Sequence, residues 1–147
     1  MKNRAKILAI TILLTGLFGF TSCKKYRKYD NKEVVENTYP GEVELKGTDE
    51  PNGDFTGNND SGTFSFVWNN SKVKADVDFQ ISAGSEGSVQ LTLNDAKGKE
   101  VFNETIPYGG VVSFSGLSDE GKEGKWLVTI ELTNFNGNGG YDIKPRD

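Results

Sequence analysis

From Thr63 onward the chain alternates apolar and polar residues with a period of two. Phe64, Phe66 and Trp68 alternate with Thr63, Ser65 and Val67. Val73, Ala75, Val77, Phe79 and Ile81 alternate with Lys72, Lys74, Asp76, Asp78 and Gln80. Such a segment is a strand with one dry face and one charged face. Val89 to Leu93, Val101 to Ile106, Val111 to Phe114, Trp126 to Leu132 and Tyr141 to Ile143 continue the series. Four glycine-rich or asparagine-rich runs separate them: Gly84 to Gly87, Asn94 to Gly98, Pro107 to Gly110 and Asn136 to Gly140. Each run reads as a turn. About seven strands and no convincing helix predict an all-β fold. Antiparallel strands with one wet face bury the other against a second sheet, so the expected architecture is a small jelly-roll-like β-sandwich over residues 63–147. A closed barrel is the alternative.

The segment before Thr63 reads differently. Residues 31–62 show little periodicity and carry Pro40, Pro51, five glycines and many acids and asparagines. That composition predicts a flexible linker, to which Val34-Val35 or Val43 to Leu45 could add an edge strand.

At the start, Lys2, Arg4 and Lys6 precede a mostly apolar run from Ile7 to Phe20. The run is shorter than the roughly 20 residues a membrane-spanning helix needs, and it matches the core of a signal peptide. Phe20-Thr21-Ser22-Cys23 then resembles the lipobox of bacterial lipoproteins, in the form common in Bacteroidota, with Phe20 in place of the usual leucine. The resemblance implies cleavage after Ser22, acylation of Cys23, and anchorage in the lipid bilayer of the outer membrane. It divides the chain into a signal peptide (1–22), a lipid-anchored linker (23–62) and the β domain (63–147). Lipoproteins of this group that are exported to the surface tend to be acidic just after the cysteine. Lys24, Lys25, Arg27 and Lys28 make this stretch basic, which implies a periplasm-facing protein.

Composition narrows the chemistry. The 147 residues include no histidine and one cysteine. That excludes Ser-His-Asp and Cys-His catalysis, histidine-ligated metals and internal disulfides. Removing residues 1–22 takes away three basic residues and no acid, leaving 14 basic against 21 acidic, a formal −7. A charge of that sign argues against nucleic acid as a partner.

The order of features from Gly62 to Ile143 resembles bacterial pre-peptidase C-terminal domains, and jelly-roll carbohydrate-binding modules fit it nearly as well. Either resemblance supports the fold and supplies no catalytic residue. The lipobox, the tether and the absence of a catalytic constellation point to a membrane-tethered module that binds an envelope protein, an envelope polymer or a glycan, with a small carboxylate-dependent glycan hydrolase as the alternative. Trp68, Tyr108, Trp126 and Tyr141 are candidates for an aromatic platform under sugar rings. The two tryptophans are in phase with apolar neighbours and read as core. Tyr108, beside two glycines in an expected turn, is the best exposed candidate. Asp76 and Asp78, on one side of one strand, are a candidate for the paired carboxylates of a glycan hydrolase, and read more simply as a charged outer face. The acids and amides of residues 49–54 and 58–60 are calcium-type ligands without calcium-loop spacing, and read as turns. No cofactor or metal is expected.

Overall fold

The computed structural model describes residues 34–47 and 49–147. The signal peptide, Cys23 and the basic residues 24–28 lie outside them. The elements are β1 (Val34–Asn37), β2 (Glu42–Val43), β3 (Asn52–Asn70), β4 (Lys74–Asn94), β5 (Glu100–Leu117) and β6 (Gly124–Arg146). All pairings are antiparallel, in the order β1-β3-β6-β4-β5, with β2 also on β3.

Four of these strands are 18 to 23 residues long. Straight, each would extend roughly 60–75 Å at the usual rise per residue, far more than a domain of this size spans. They bend instead, all at one level. The β3–β6 register shifts at 58–62, opposite 132–136. The β4 register is interrupted between Ala83 and Gly87 against β5, and between Ala83 and Ser88 against β6. Opposite those breaks lie Tyr108 and Gly110 of β5 and Thr133 and Gly137 of β6. Gly110 and Gly137 take positive φ of 102° and 151°, and Asn134 takes 53°. Irregularities of this kind sharpen a strand's twist and turn it. Each long strand therefore serves two sheets. Residues 62–70, 124–133, 88–94 and 100–108 make the first, edged by β1. Residues 52–58, 136–146, 74–83 and 110–117 make the second, edged by β2.

The two layers bury one core. Phe66 of the first meets Tyr141 of the second with ring centroids 6.2 Å apart. Phe102 of the first meets Phe114 of the second at 6.3 Å. This is the expected antiparallel β-sandwich. The seven segments read from the sequence are seven of eight half-strands. Three of the expected turns, at 84–87, 107–110 and 136–140, are the bends inside continuous strands. The fourth is a true hairpin turn. Asp95 N–H donates to Lys99 O and Gly98 N–H to Asp95 O, with Gly98 at φ 81°.

The linker expected over 23–62 is corrected from Val34 onward. Tyr39, Val43, Leu45 and Phe55 are core residues, and 52–58 is the eighth half-strand. The alternation there is hidden because its inward positions are Gly53, Phe55 and Gly57. Both glycines are required by close approach. A Cβ at Gly53 would sit 1.9 Å from the Glu44 carbonyl oxygen, and one at Gly57 2.1 Å from the Tyr39 hydroxyl. The preceding segment crosses β3 so closely that only glycine leaves room for it. The Asp/Asn-rich stretch, read as turns, is corrected too: residues 52–54 and 58–60 lie within β3, and short-range side-chain bonds only decorate it. Asn52 Nδ2 donates to Glu50 O at 3.0 Å, and Asn58 N–H donates to the Asp60 carboxylate at 2.8 Å.

Candidate functional site

The candidate aromatic platform is inside the protein. Trp68 and Trp126 are fully buried, as their phase predicts, and each Nε1–H donates to a backbone carbonyl: Trp68 to Asp49 O at 2.9 Å, Trp126 to Lys122 O at 2.7 Å. Tyr141 is buried and its hydroxyl donates to Glu44 O at 2.9 Å. Tyr108 corrects the expectation of an exposed ligand-binding residue, since only 4% of it is accessible. Its hydroxyl donates a short hydrogen bond to Thr133 O, and its ring stands edge-on to Phe135 at 5.4 Å. Burial pushes the phenol's pKa up. The physical reason is strand continuity. Because β5 runs through 107–110 without a turn, Tyr108 keeps an inward position, and its ring occupies the space a Cβ at Gly87 would need.

With its aromatics consumed, the fold leaves a polar depression on the outer face of the second sheet. Its volume is about 460 Å³. Strand register explains its lining. Asn52, Asp142, Asp78 and Ser115 stand in one row across β3, β6, β4 and β5. Asp54, Gly140, Gln80 and Ser113 form the next row. Their side chains point outward because the alternate positions, Phe55, Tyr141, Phe79 and Phe114, point into the core. Gly140 lowers the floor mid-sheet, between Asp54 and Gln80. Lys46 closes one end.

Internal contacts hold the polar groups in place. Ser115 Oγ donates to Asp78 Oδ1 at 2.5 Å. Lys144 pairs with Asp142 at 2.7 Å, and Lys46 bridges Glu44 at 2.6 Å and Asp54 at 3.6 Å. The bond to Glu44 holds the Lys46 ammonium pKa above its ordinary value, and Asp142 does the same for Lys144. Groups tied to their neighbours this way present fixed donors and acceptors to a ligand.

Of the two carboxylates singled out in the sequence, Asp78 lines the depression and Asp76 does not; Asp76 faces Arg146 Nη1 at 3.5 Å. The carboxylate that does join Asp78 is Asp142, directly opposite it on β6. Sequence reading missed Asp142 and Gln80, because a polar residue alternating with core residues looks the same whether its face is bare or grooved; Asn52 and Asp54 were read only as turn residues of a linker. Among the described residues, no group of three or more acidic or cysteine side chains is placed to hold a metal ion.

The sequence matches no protein-family model and no curated protein. Several solved structures are similar to this chain in part. The chain is similar to the CBM36-1 domain of a multidomain xylanase from the hindgut metagenome of Trinervitermes trinervoides, with 14% identity, 80% of this chain and 93% of that chain covered, and a TM-score of 0.45. A carbohydrate-binding module from Cellvibrio mixtus lichenase 5A, in complex with cellotriose, is similar at 13% identity over 73% and 88% of the two chains, with a TM-score of 0.43. An arabinose-bound α-L-arabinofuranosidase is similar at 8% identity over 78% of this chain, which spans 23% of that enzyme's length, with a TM-score of 0.46. The chain is an antiparallel β-sandwich, defined by its own strand register and by the contacts between its layers.

Proposed function

We propose that this protein is a lipid-anchored, non-catalytic binding module of the bacterial outer membrane, facing the periplasm, whose second sheet takes a neutral glycan across its outer face. The observation that carries the glycan reading is the pair of polar rows flanking Gly140. They set carboxylate, amide and hydroxyl groups side by side over a lowered floor. A sugar ring offers neighbouring hydroxyls, each able to donate and accept. Asp78 and Asp142 accept, Gln80 and Asn52 do both, and such fixed polar groups supply orientation in a concave site. Lys46 and Lys144 offset Asp54 and Asp142, and the remaining carboxylate, Asp78, disfavours an anionic polymer. The depression lies within the roughly 300–1,000 Å³ common for ligand sites.

Anchorage rests on the residues Phe20 to Cys23 and the apolar run before them. Cys23→Ala should abolish labelling by a fatty-acid probe and leave the protein unprocessed; undiminished labelling would refute the anchor. The site is tested by calorimetric titration of the wild-type protein with neutral oligosaccharides, beside Asp78→Ala and Gln80→Ala. Binding lost in both variants, with the thermal midpoint kept, is expected. Binding that survives both places the ligand elsewhere. Hydrolysis of the oligosaccharide that disappears in Asp78→Ala would make the protein an enzyme instead.

A further inference from the structure

The outer edge of β5 changes character at the bend. Residues 100–108 carry Glu100, Glu104 and Pro107, features that keep an edge strand from pairing with other chains. Residues 110–117 (Gly-Val-Val-Ser-Phe-Ser-Gly-Leu) carry neither charge nor proline. β5 is the last strand in the sheet order, so among the described residues this half has no neighbour beyond it. Two large apolar side chains stand on its outer face, Val111 at 83% exposure and Leu117 at 54%.

Backbone direction follows from the ladder. Ser118 N–H donates to Ala75 O at 2.9 Å, and the β4–β5 register continues unbroken from there to Ala83↔Gly110. Antiparallel pairs alternate between hydrogen-bonded and non-bonded. Residues 112, 114 and 116 therefore spend their backbone groups on β4. Those of 111, 113, 115 and 117 face the open edge.

We propose that this edge pairs with the same edge of a second copy, antiparallel and centred on Phe114, joining two second sheets into one. The sequence is self-complementary about that centre. Val111 falls opposite Leu117 of the partner subunit, and Ser113 opposite Ser115 of the partner subunit. All are positions whose N–H and C=O groups point across the join, so hydrogen bonds form without any shift in phase. Both exposed apolar residues are covered twice, once in each copy, and no like charges meet. Registers shifted by two residues keep the bonding phase but set valine or leucine against serine. The contact is isologous and uses up both edges, so it closes at two copies. Ser113 and Ser115 line the depression as well, which sets the two depressions side by side at the join. The dimer itself does not depend on what the depression binds.

Cysteine pairing in membranes tests the register, because residues opposite each other lie about 5.5 Å apart, within reach of a disulfide. Cells co-expressing Val111→Cys and Leu117→Cys chains should give an oxidised dimer. Either variant alone, or the wild type with Cys23 as its one cysteine, should give none. Sedimentation of the full-length protein in detergent should show twice the chain mass. Leu117→Lys should reduce it to the single mass, whereas Thr105→Lys, on the other half of β5, should not. A wild-type monomer, or a Val111→Cys dimer formed as readily as the mixed one, would overturn the proposal. A monomer would leave the edge to a strand of another protein.

Discussion

Trp68 and Trp126 stand directly opposite each other on β3 and β6, with their indoles edge to face at 5.8 Å and 71°. The pair closes one end of the first sheet. Trp68 also reaches through its Nε1–H to the Asp49 carbonyl and so ties down the turn that leads into the second sheet. Replacing either by alanine should cost about 3–5 kcal/mol through lost transfer energy and the cavity left behind. A domain of this size has only about 5–15 kcal/mol in total. Denaturant midpoints should fall by a large fraction in both variants. Midpoints equal to the parent's would show that neither indole is part of the core.

Where the folded unit begins is a second expectation. A chain starting at Gly62 would lose Tyr39, Val43, Leu45 and Phe55 from the core, and with them the half-strand that pairs with 136–142. It should be molten or aggregated. A chain starting at Val34 should melt cooperatively, as seen by near-ultraviolet circular dichroism. Cooperative melting of the shorter chain would show that the β1–β2 segment and the 52–58 half-strand are dispensable.

Tyr108 separates a structural from a binding role. Tyr108→Phe keeps the ring against Phe135 but leaves the Thr133 carbonyl without its donor. The expected loss is about 1–3 kcal/mol of stability, the usual cost of a buried group left unpaired. Oligosaccharide affinity should be unchanged. Weakened binding at unchanged stability would put the residue back at a ligand.

Asp95 gives the hairpin between β4 and β5 a pH dependence. Its carboxylate accepts N–H bonds from Lys122 at 2.7 Å and from Lys97 and Lys99 at 2.9 Å. The Lys122 bond foremost, then those of Lys99 and Lys97, hold its pKa below the ordinary aspartate value. A carboxyl with a lower pKa folded than unfolded stabilises the protein fully above the unfolded value of about 3.9, and that share is lost as pH falls toward the folded value. Thermal midpoints of the wild type should drop across that acid range more than those of Asp95→Asn. Parallel curves would mean that the carboxylate's bonds are not selective for its charge.

Much of the architecture was legible because burial writes itself into alternation. Ala75, Val77, Phe79 and Ile81 on β4, and Trp126, Val128 and Ile130 on β6, face inward in the structure as their spacing requires. Asn94 to Gly98 was legible as a turn because its φ and hydrogen-bond demands are local. The eighth half-strand was not, since glycine at 53 and 57 answers to the Glu44 carbonyl and the Tyr39 hydroxyl, which approach from a segment that shows no periodicity of its own.

By itself, then, the sequence determined the two faces of seven half-strands, the hairpin at Asp95, the burial of both tryptophans and the lack of histidine chemistry. These follow from residue type and from a period of two, both of which act over a few residues. The tertiary structure decided the rest. It alone determined that Gly84 to Gly87, Pro107 to Gly110 and Asn136 to Gly140 bend strands without ending them, because a glycine-rich run permits either outcome and only pairing with neighbours at the same level selects the bend. The same choice put Tyr108 inside. It also brought Asp78 beside Asp142, residues 64 positions apart whose meeting depends on the register between two strands.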